Sequence, residues 1–490
     1  MRKIFTLLFL LAGITSFAQN LDTNRYKESI FTSLLQSDIQ YGSAPQWVWP
    51  YWNEDLFLDV FQPNGDLNSN RPLIIFAHAG GFVNGSKDVD NMHAICDTFA
   101  RKGFVTTTID YRKGFNPLDE ESAERAVYRA VQDGKAAVRY FKENMSLYDI
   151  DTNNIFFGGM SAGGFVAYHV AYLDEESERP ASTYGGGTVN DLGCADCAGN
   201  SFNHTSEVKA VLDYWGATID TTFMQAGDVP IMIMHGTEDP TVPYNVGNPF
   251  GLTTLPTTYG ALPISNQAEA VGVPYEMYIN NMDIHMMGGS SNGTWSPAPN
   301  DFWGDTLLPF TENFIFDLIK PITGKISPDT VYLGLNEMYT FEVSNTAQSE
   351  YVWDFNSADI LEVTNNNEAT LELQFITPGT YEVKTIEFND LLVAGDEQNF
   401  VAIVSDDVSF DELSSVELNL FPNPASNIIN VESSEWMLDL QLIDMTGKIL
   451  RAETIESDFH QLDLSDLIPG FYFLNVNTEF GTHTVKFSKL

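Results

Sequence analysis

The sequence predicts an α/β chain in which a doubly wound, mostly parallel sheet carries helices on both faces and is followed by two all-β segments. Three observations carry this. From Leu56 to about Lys320 short apolar runs alternate with helical patterns, as a sheet layered between helices requires. Several runs are unbroken, Leu73-Ile74-Ile75-Phe76-Ala77 above all, which marks strands buried on both faces. After Pro321-Ile322-Thr323-Gly324 the helical periodicity stops and short alternating strands, separated by turn residues, take over.

Element by element, Leu56 to Val60 alternates, Leu73 to Ala77 is continuously apolar and Val105 to Ile109 is β-branched. Later strands are predicted at Asn154 to Phe157, Val208 to Leu212, Ile231 to Met234 and Tyr275 to Ile279. Asn91 to Arg101, Ala123 to Asn144 and Phe165 to Leu173 carry helical periodicity. The expected division is a leader over 1–18, an α/β domain over 19–322, a β domain over 325–405 and a third unit over 413–490.

Composition bounds the function. Hydrophobic residues at 43% and charged residues at 19% suit a folded chain. Lys and Arg number 24 against 67 Asp and Glu, a net charge of −43, and the scattered cations form no basic patch to neutralise phosphates, so nucleic acid is excluded as a partner. Arg2 and Lys3, the apolar Ile4 to Ile14 and Ser16-Phe17-Ala18 before Gln19 read as a secretory signal. No later stretch reaches the roughly 18 apolar residues of a membrane span. Three cysteines cannot make a disulfide scaffold. Cys194 and Cys197 are expected to pair locally outside the cytoplasm, and Cys96 lies in an apolar helical pattern as a buried filler.

Gly159-Met160-Ser161-Ala162-Gly163 is a G-x-S-x-G motif set between a buried strand and a helical run, the context a nucleophile elbow needs. Small residues on both sides permit the sharp turn that lifts the Ser161 hydroxyl and brings the first helical amides near it. His78-Ala79-Gly80-Gly81-Phe82 follows the second buried strand and resembles the His-Gly-Gly-Gly motif of carboxylesterases and hormone-sensitive-lipase-like enzymes, with Ala79 at the first glycine. That resemblance implies an oxyanion hole from the amides of Gly80, Gly81 and Ala162, with His78 bracing the loop.

In this fold the acid and histidine follow the nucleophile. Asp239, after the strand Ile231 to Met234, is the acid, with Glu238 its local rival, and His285 follows the last strand of the domain. The other histidines sit on helices (His93, His169), at a strand end (His235), before the relevant region (His204) or in the tail (His460, His483). Ser161 would be nucleophile, His285 general base and Asp239 its orienter. With Asp59-Val60-Phe61-Gln62-Pro63, Asp110-Tyr111-Arg112 and the Asp133 to Arg139 run leading to the elbow, residues 41–320 resemble the carboxylesterase and esterase/lipase branch of the α/β-hydrolases. Asp133 and Arg139 are expected to pack rather than catalyse.

Thr377-Pro378-Gly379-Thr380-Tyr381-Glu382-Val383, with Trp353-Asp354-Phe355 as a core strand, resembles immunoglobulin-like or PKD modules, though their usual Gly-Asp-Gly turn is absent. Such a module is expected to be a spacer, with a carbohydrate-binding module as the alternative. Leu418-Asn419-Leu420-Phe421-Pro422-Asn423-Pro424-Ala425-Ser426, the turn Asp444 to Lys448, Pro469-Gly470-Phe471-Tyr472 and the closing Lys486-Phe487-Ser488-Lys489-Leu490 resemble the C-terminal sorting domain of the type IX secretion system. That resemblance implies passage through the type IX machinery, then release or attachment to the outer cell surface.

The expected activity is hydrolysis of carboxylic esters through an acyl-enzyme. Little chain separates Leu212 from Ile231 for a lid, and an uncapped site suits polymeric substrates such as plant-polysaccharide acyl esters or polyesters. The loops Gly185 to Asn200 and Asn248 to Gly260 are expected to shape the pocket. A peptidase of the same fold and a noncatalytic surface adhesin are the alternatives. No metal or organic cofactor is implied, because neither His nor Cys spacing builds a ligand cluster.

Overall fold

A computed structural model describes residues 21–186, 189–281, 285, 301–355, 360–364, 368–406, 418–444, 448–478 and 481–490. The leader expected over 1–18, the segment 407–417 before the third unit and the centre of the turn from Asp444 to Lys448 lie outside them.

The first unit is an eight-stranded sheet. Its strands are β1 (Thr32–Pro45), β2 (Asn53–Asn64), β3 (Arg71–Ala77), β4 (Val105–Ile109), β5 (Ile150–Met160), β6 (Ala210–Tyr214), β7 (Ile231–Gly236) and, after the short ribbon of β8 (Val246–Gly247) and β9 (Thr258–Tyr259), β10 (Tyr275–Asn280). The order β1-β2-β4-β3-β5-β6-β7-β10 is parallel from β4 to β10, with β1 and β2 antiparallel at one edge. β3, β4, β6 and β7 are buried along their whole length, which is why β3 reads as a nearly unbroken apolar run and β4 as a β-branched one.

Both faces are covered. Helices α2 (Glu120–Glu143), α4 (Ala162–Tyr172) and α5 (Ala261–Val271) pack on one face through residues such as Val131, Val166 and Ile264. Helices α1 (Asp90–Arg101) and α6 (Leu308–Ile319) cover the other through Ile95, Phe99 and Ile315. The short helix α3 (Met145–Tyr148) leads from α2 into β5. The Asp119 side chain caps α2 by accepting from the Ser122 amide at 3.3 Å, and Glu120 and Glu121 favour the positive end of the helix dipole.

The next unit packs two sheets around one core: β11 (Thr330–Gly334), β13 (Glu350–Phe355), β16 (Gly379–Phe388) and β17 (Gln398–Ser405) against β12 (Met338–Glu342), β14 (Ile360–Thr364) and β15 (Thr370–Phe375). Trp353 and Phe400 stack inside it. It does more than separate its neighbours. Leu391 and Val393, in its loop after β16, are buried in the core cluster that also holds residues of α1 and α6, and the Leu391 carbonyl accepts from Tyr26 Oη at 2.9 Å and Asn68 Nδ2 at 3.0 Å.

The last unit is an antiparallel sheet of β18 (Leu418–Phe421), β19 (Ile428–Ile443), β20 (Ile449–Asp463), β21 (Gly470–Thr478) and β22 (Gly481–Lys489). Its core is formed by residues such as Val431, Leu440, Leu474 and Phe487.

Candidate active site

The parallel strands end on a common edge, and the site is built there. Ser161 stands between β5 and α4 with φ 54 and ψ −115, a strained conformation for a residue with a side chain. The chain must double back at this point: a Cβ on Gly159 would overlap the Gly163 carbonyl, and one on Gly163 would overlap the carbonyl of Ala77. The Ser161 amide donates to Tyr214 O of β6 at 2.9 Å, and the residue is 6% exposed.

His285 Nε2 lies 2.8 Å from Ser161 Oγ, and its Nδ1 lies 2.6 Å from Asp239 Oδ2. The three residues, 124 and 46 positions apart in sequence, thus meet in one hydrogen-bonded line. Asp239 Oδ1 accepts from the amides of Thr241 at 2.7 Å and Val242 at 2.9 Å. Burial pushes the Asp239 carboxyl up, but hydrogen bonds from His235 and His285 and from the Val242 amide outweigh it and bring it down to about 2. It is therefore a carboxylate at neutral pH. Glu238 makes no such contact among the described residues.

The loop after β3 faces the same point. Gly80 (φ 132) and Gly81 (φ 59) adopt left-handed conformations, whereas Ala79 does not, so alanine fits where the related motif has its first glycine. Among the described residues nothing accepts from the amides of Gly80, Gly81 or Ala162. His78 is fully buried and stacked on Tyr111 at 4.3 Å, with Nδ1 2.6 Å from Ala79 O. Burial pushes its imidazole down to about 3, so it braces the loop as a neutral donor.

A mainly apolar cavity opens beside Ser161, walled by Phe82, Phe115, Val127, Phe165, Phe250 and Leu255. The segment 248–260 contributes to it as expected, but Gly185 to Asn200 does not: its described residues line other cavities, because Arg125 and Tyr128 of α2 hold that loop on the far side of the helix. Cys194 and Cys197 are joined there in a disulfide, and Cys96 is a buried free thiol. Asp133 binds Arg112 and Arg139 binds Asp196, both as packing contacts.

The BD-FAE family model matches residues 58–221, which contain the loop after β3 and Ser161 but stop short of Asp239 and His285. A secretion system C-terminal sorting domain matches residues 419–489. The chain carries a BD-FAE esterase-like domain and a type IX secretion C-terminal sorting domain. Its relatives include phenmedipham hydrolase of Pseudarthrobacter oxydans, 33% identical over 25% of this chain and 24% of that protein. Gut esterase 1 of Caenorhabditis briggsae is 31% identical over 23% of this chain and 20% of its own length. The chain thus spans about a quarter or less of the length of these curated relatives. Among solved structures, apo esterase 2 of Thermogutta terrifontis aligns with 60% of this chain and 98% of its own at 19% identity and TM-score 0.42. The sorting domain marks the hydrolase for export to the cell surface or beyond. Among the described residues no helix is long and apolar enough to cross a membrane.

The structure also brings residues to the hydrolase site that the sequence left aside. His235, set down as a strand-end residue, is fully buried with Nε2 3.0 Å from Val242 O and 3.3 Å from Asp239 Oδ2. Asp213, at the end of β6, is buried behind it, and burial raises its carboxyl to about 6. The His235-x-x-x-Asp239 spacing was the only available signal. Asp59, Asp88 and His93 come close enough together to hold a metal, but the Lys87 ammonium lies among them, 2.9 Å from Asp59 and 2.7 Å from Asp88.

Proposed function

We propose that the protein is an exported serine carboxylic-ester hydrolase in which Ser161, His285 and Asp239 act as a triad. The observation that carries this reading is the His285 ring, with one nitrogen 2.8 Å from Ser161 Oγ and the other 2.6 Å from Asp239. Ser161 Oγ attacks the ester carbonyl carbon while His285 Nε2 takes its proton. The amides of Gly80, Gly81 and Ala162 stabilise the oxyanion, a contribution of about 3–4 kcal/mol per donor. His285 then returns the proton to the departing alkoxide, and the acyl-enzyme remains. Water attacks the acyl-enzyme by the same route in reverse, with His285 again carrying the proton. Asp239, ionised at neutral pH, fixes the imidazole tautomer and stabilises the imidazolium.

The acyl group occupies the cavity among Phe82, Phe115 and Phe165, and the substrates are acyl esters of plant polysaccharides or polyesters. The type IX machinery is the partner in export. The test is turnover of a p-nitrophenyl ester series from acetate upward by the whole chain. Saturable hydrolysis with a chain-length preference supports the reading; a folded protein inert on every ester sinks it.

A further inference from the structure

The hairpin joining β1 to β2 turns through Gln46-Trp47-Val48-Trp49-Pro50-Tyr51-Trp52. Tight turns call for Gly, Asn, Asp or Pro, not for four aromatic rings. The loop is pinned by the Tyr51 amide donating to Val48 O at 2.8 Å and the Gln46 amide donating to Trp52 O at 2.9 Å. Trp49 is 81% exposed and Trp52 69%, a concentration of apolar surface that soluble proteins keep for binding. Trp47 and Tyr51 line a cavity of about 500 Å³ together with Asn116, Asp119, Glu121 and Asn190. Its far wall is braced by Arg125, whose guanidinium donates to Ser182 O at 2.5 Å and Asn190 O at 2.6 Å.

The place of this loop follows from the register. Leu58 pairs with Ile109 at the end of β4 and Pro45 with Asn53 beyond it, so the hairpin tip rises from the edge of the sheet that also carries Ser161 and Asp239. The Trp47 indole lies against Gly114, and the next residue, Phe115, walls the cavity beside Ser161. One short loop therefore separates the two cavities.

Indole faces stack on the C–H faces of sugar rings, and planar amide and carboxylate groups pair with neighbouring hydroxyls. Both charge signs in the lining favour an uncharged polyhydroxylated ligand, and the net charge of −43 opposes a polyanion. We propose that the 46–52 loop and its cavity bind a neutral polysaccharide chain, Trp49 and Trp52 stacking on its rings, and hold it beside Ser161. The role beside Ser161 rests on the esterase reading; the binding does not.

Calorimetric titration of the full chain carrying Ser161→Ala tests this, with hexasaccharides of β-linked xylose and of β-linked glucose and an oligogalacturonate of equal length as probes. The expected result is binding of a neutral probe, weakened about tenfold by Trp49→Ala and by Trp52→Ala, roughly what one lost ring contact removes, while the exposed positions leave the melting temperature unchanged. No binding of either neutral probe, binding indifferent to both substitutions, or tighter binding of the oligogalacturonate overturns the proposal. Because the readout is binding, ester turnover without sugar binding would sink this proposal alone, and sugar binding without turnover would sink the esterase reading alone.

Discussion

Nε2 of His235 lies 3.3 Å from Asp239 Oδ2, the same oxygen that meets His285 Nδ1 at 2.6 Å. The carboxylate is thus held from two sides, by the fully buried imidazole of His235 and by His285, the proposed general base. Replacing His235 with alanine removes a hydrogen bond to a charged group, worth about 1.5–3 kcal/mol. Steady-state kinetics of His235→Ala should show kcat reduced roughly 10- to 100-fold with KM little changed. A change confined to KM would mean that His235 does not position the acid.

Asp239 itself accounts for more. Asp239→Asn keeps the shape but favours the wrong imidazole tautomer, and kcat should fall by about 10⁴. Far-ultraviolet circular dichroism should remain that of the parent. Retention of even a tenth of the activity would shift the role to Glu238.

The turn at Ser161 depends on the absence of a side chain at Gly163. A methyl group there meets the Ala77 carbonyl, backbone that cannot swing aside, so Gly163→Ala should cost about 3 kcal/mol and displace the Ala162 amide. Chemical denaturation measures the first effect and kcat the second.

Asp213 sets a pH dependence of known sign. Its carboxyl is raised to about 6 by burial against an unfolded value near 4, so the native state binds the extra proton between those values and stability falls as pH rises through that window. Asp213→Asn, which keeps an oxygen for the Gly216 amide, should raise the melting temperature at pH 7 and leave it nearly unchanged at pH 4. A pH-independent difference would contradict the assignment.

The loop carrying Leu391 makes the catalytic unit depend on its neighbour. Leu391→Ala empties a buried site in the core of the first unit and should cost about 2–5 kcal/mol. The loss should appear in the unfolding transition that abolishes esterase activity. If only the β-sandwich transition moves, the loop is a surface contact.

Much of this was legible in the chain. Strands β3, β5, β6 and β7 announce themselves because burial on both faces demands unbroken apolar runs, and Ser161 because its turn admits only small neighbours. Other parts carry no local signal. β1 is an edge strand, exposed along much of its length and bulged near Gln36 and Gln40, so neither alternation nor apolarity marks it. His235 reads as any strand-end histidine until the β7 loop folds Asp239 back onto it. The Gly185 to Asn200 loop looks able to reach the pocket, and only its hydrogen bonds to α2 send it elsewhere. The aromatic run from Trp47 to Trp52 acquires meaning once the β2–β4 register lifts it to the catalytic edge.

The central claim is that Ser161 is the nucleophile, and covalent labelling tests it most directly. The full chain is treated with a p-nitrophenyl alkylphosphonate, and the intact mass and peptide map are read. The account predicts one adduct per chain, on the peptide bearing Ser161, with esterase activity lost in proportion and no adduct in Ser161→Ala. Inactivation with the label on another residue, or full activity in the Ser161→Ala protein, would contradict it.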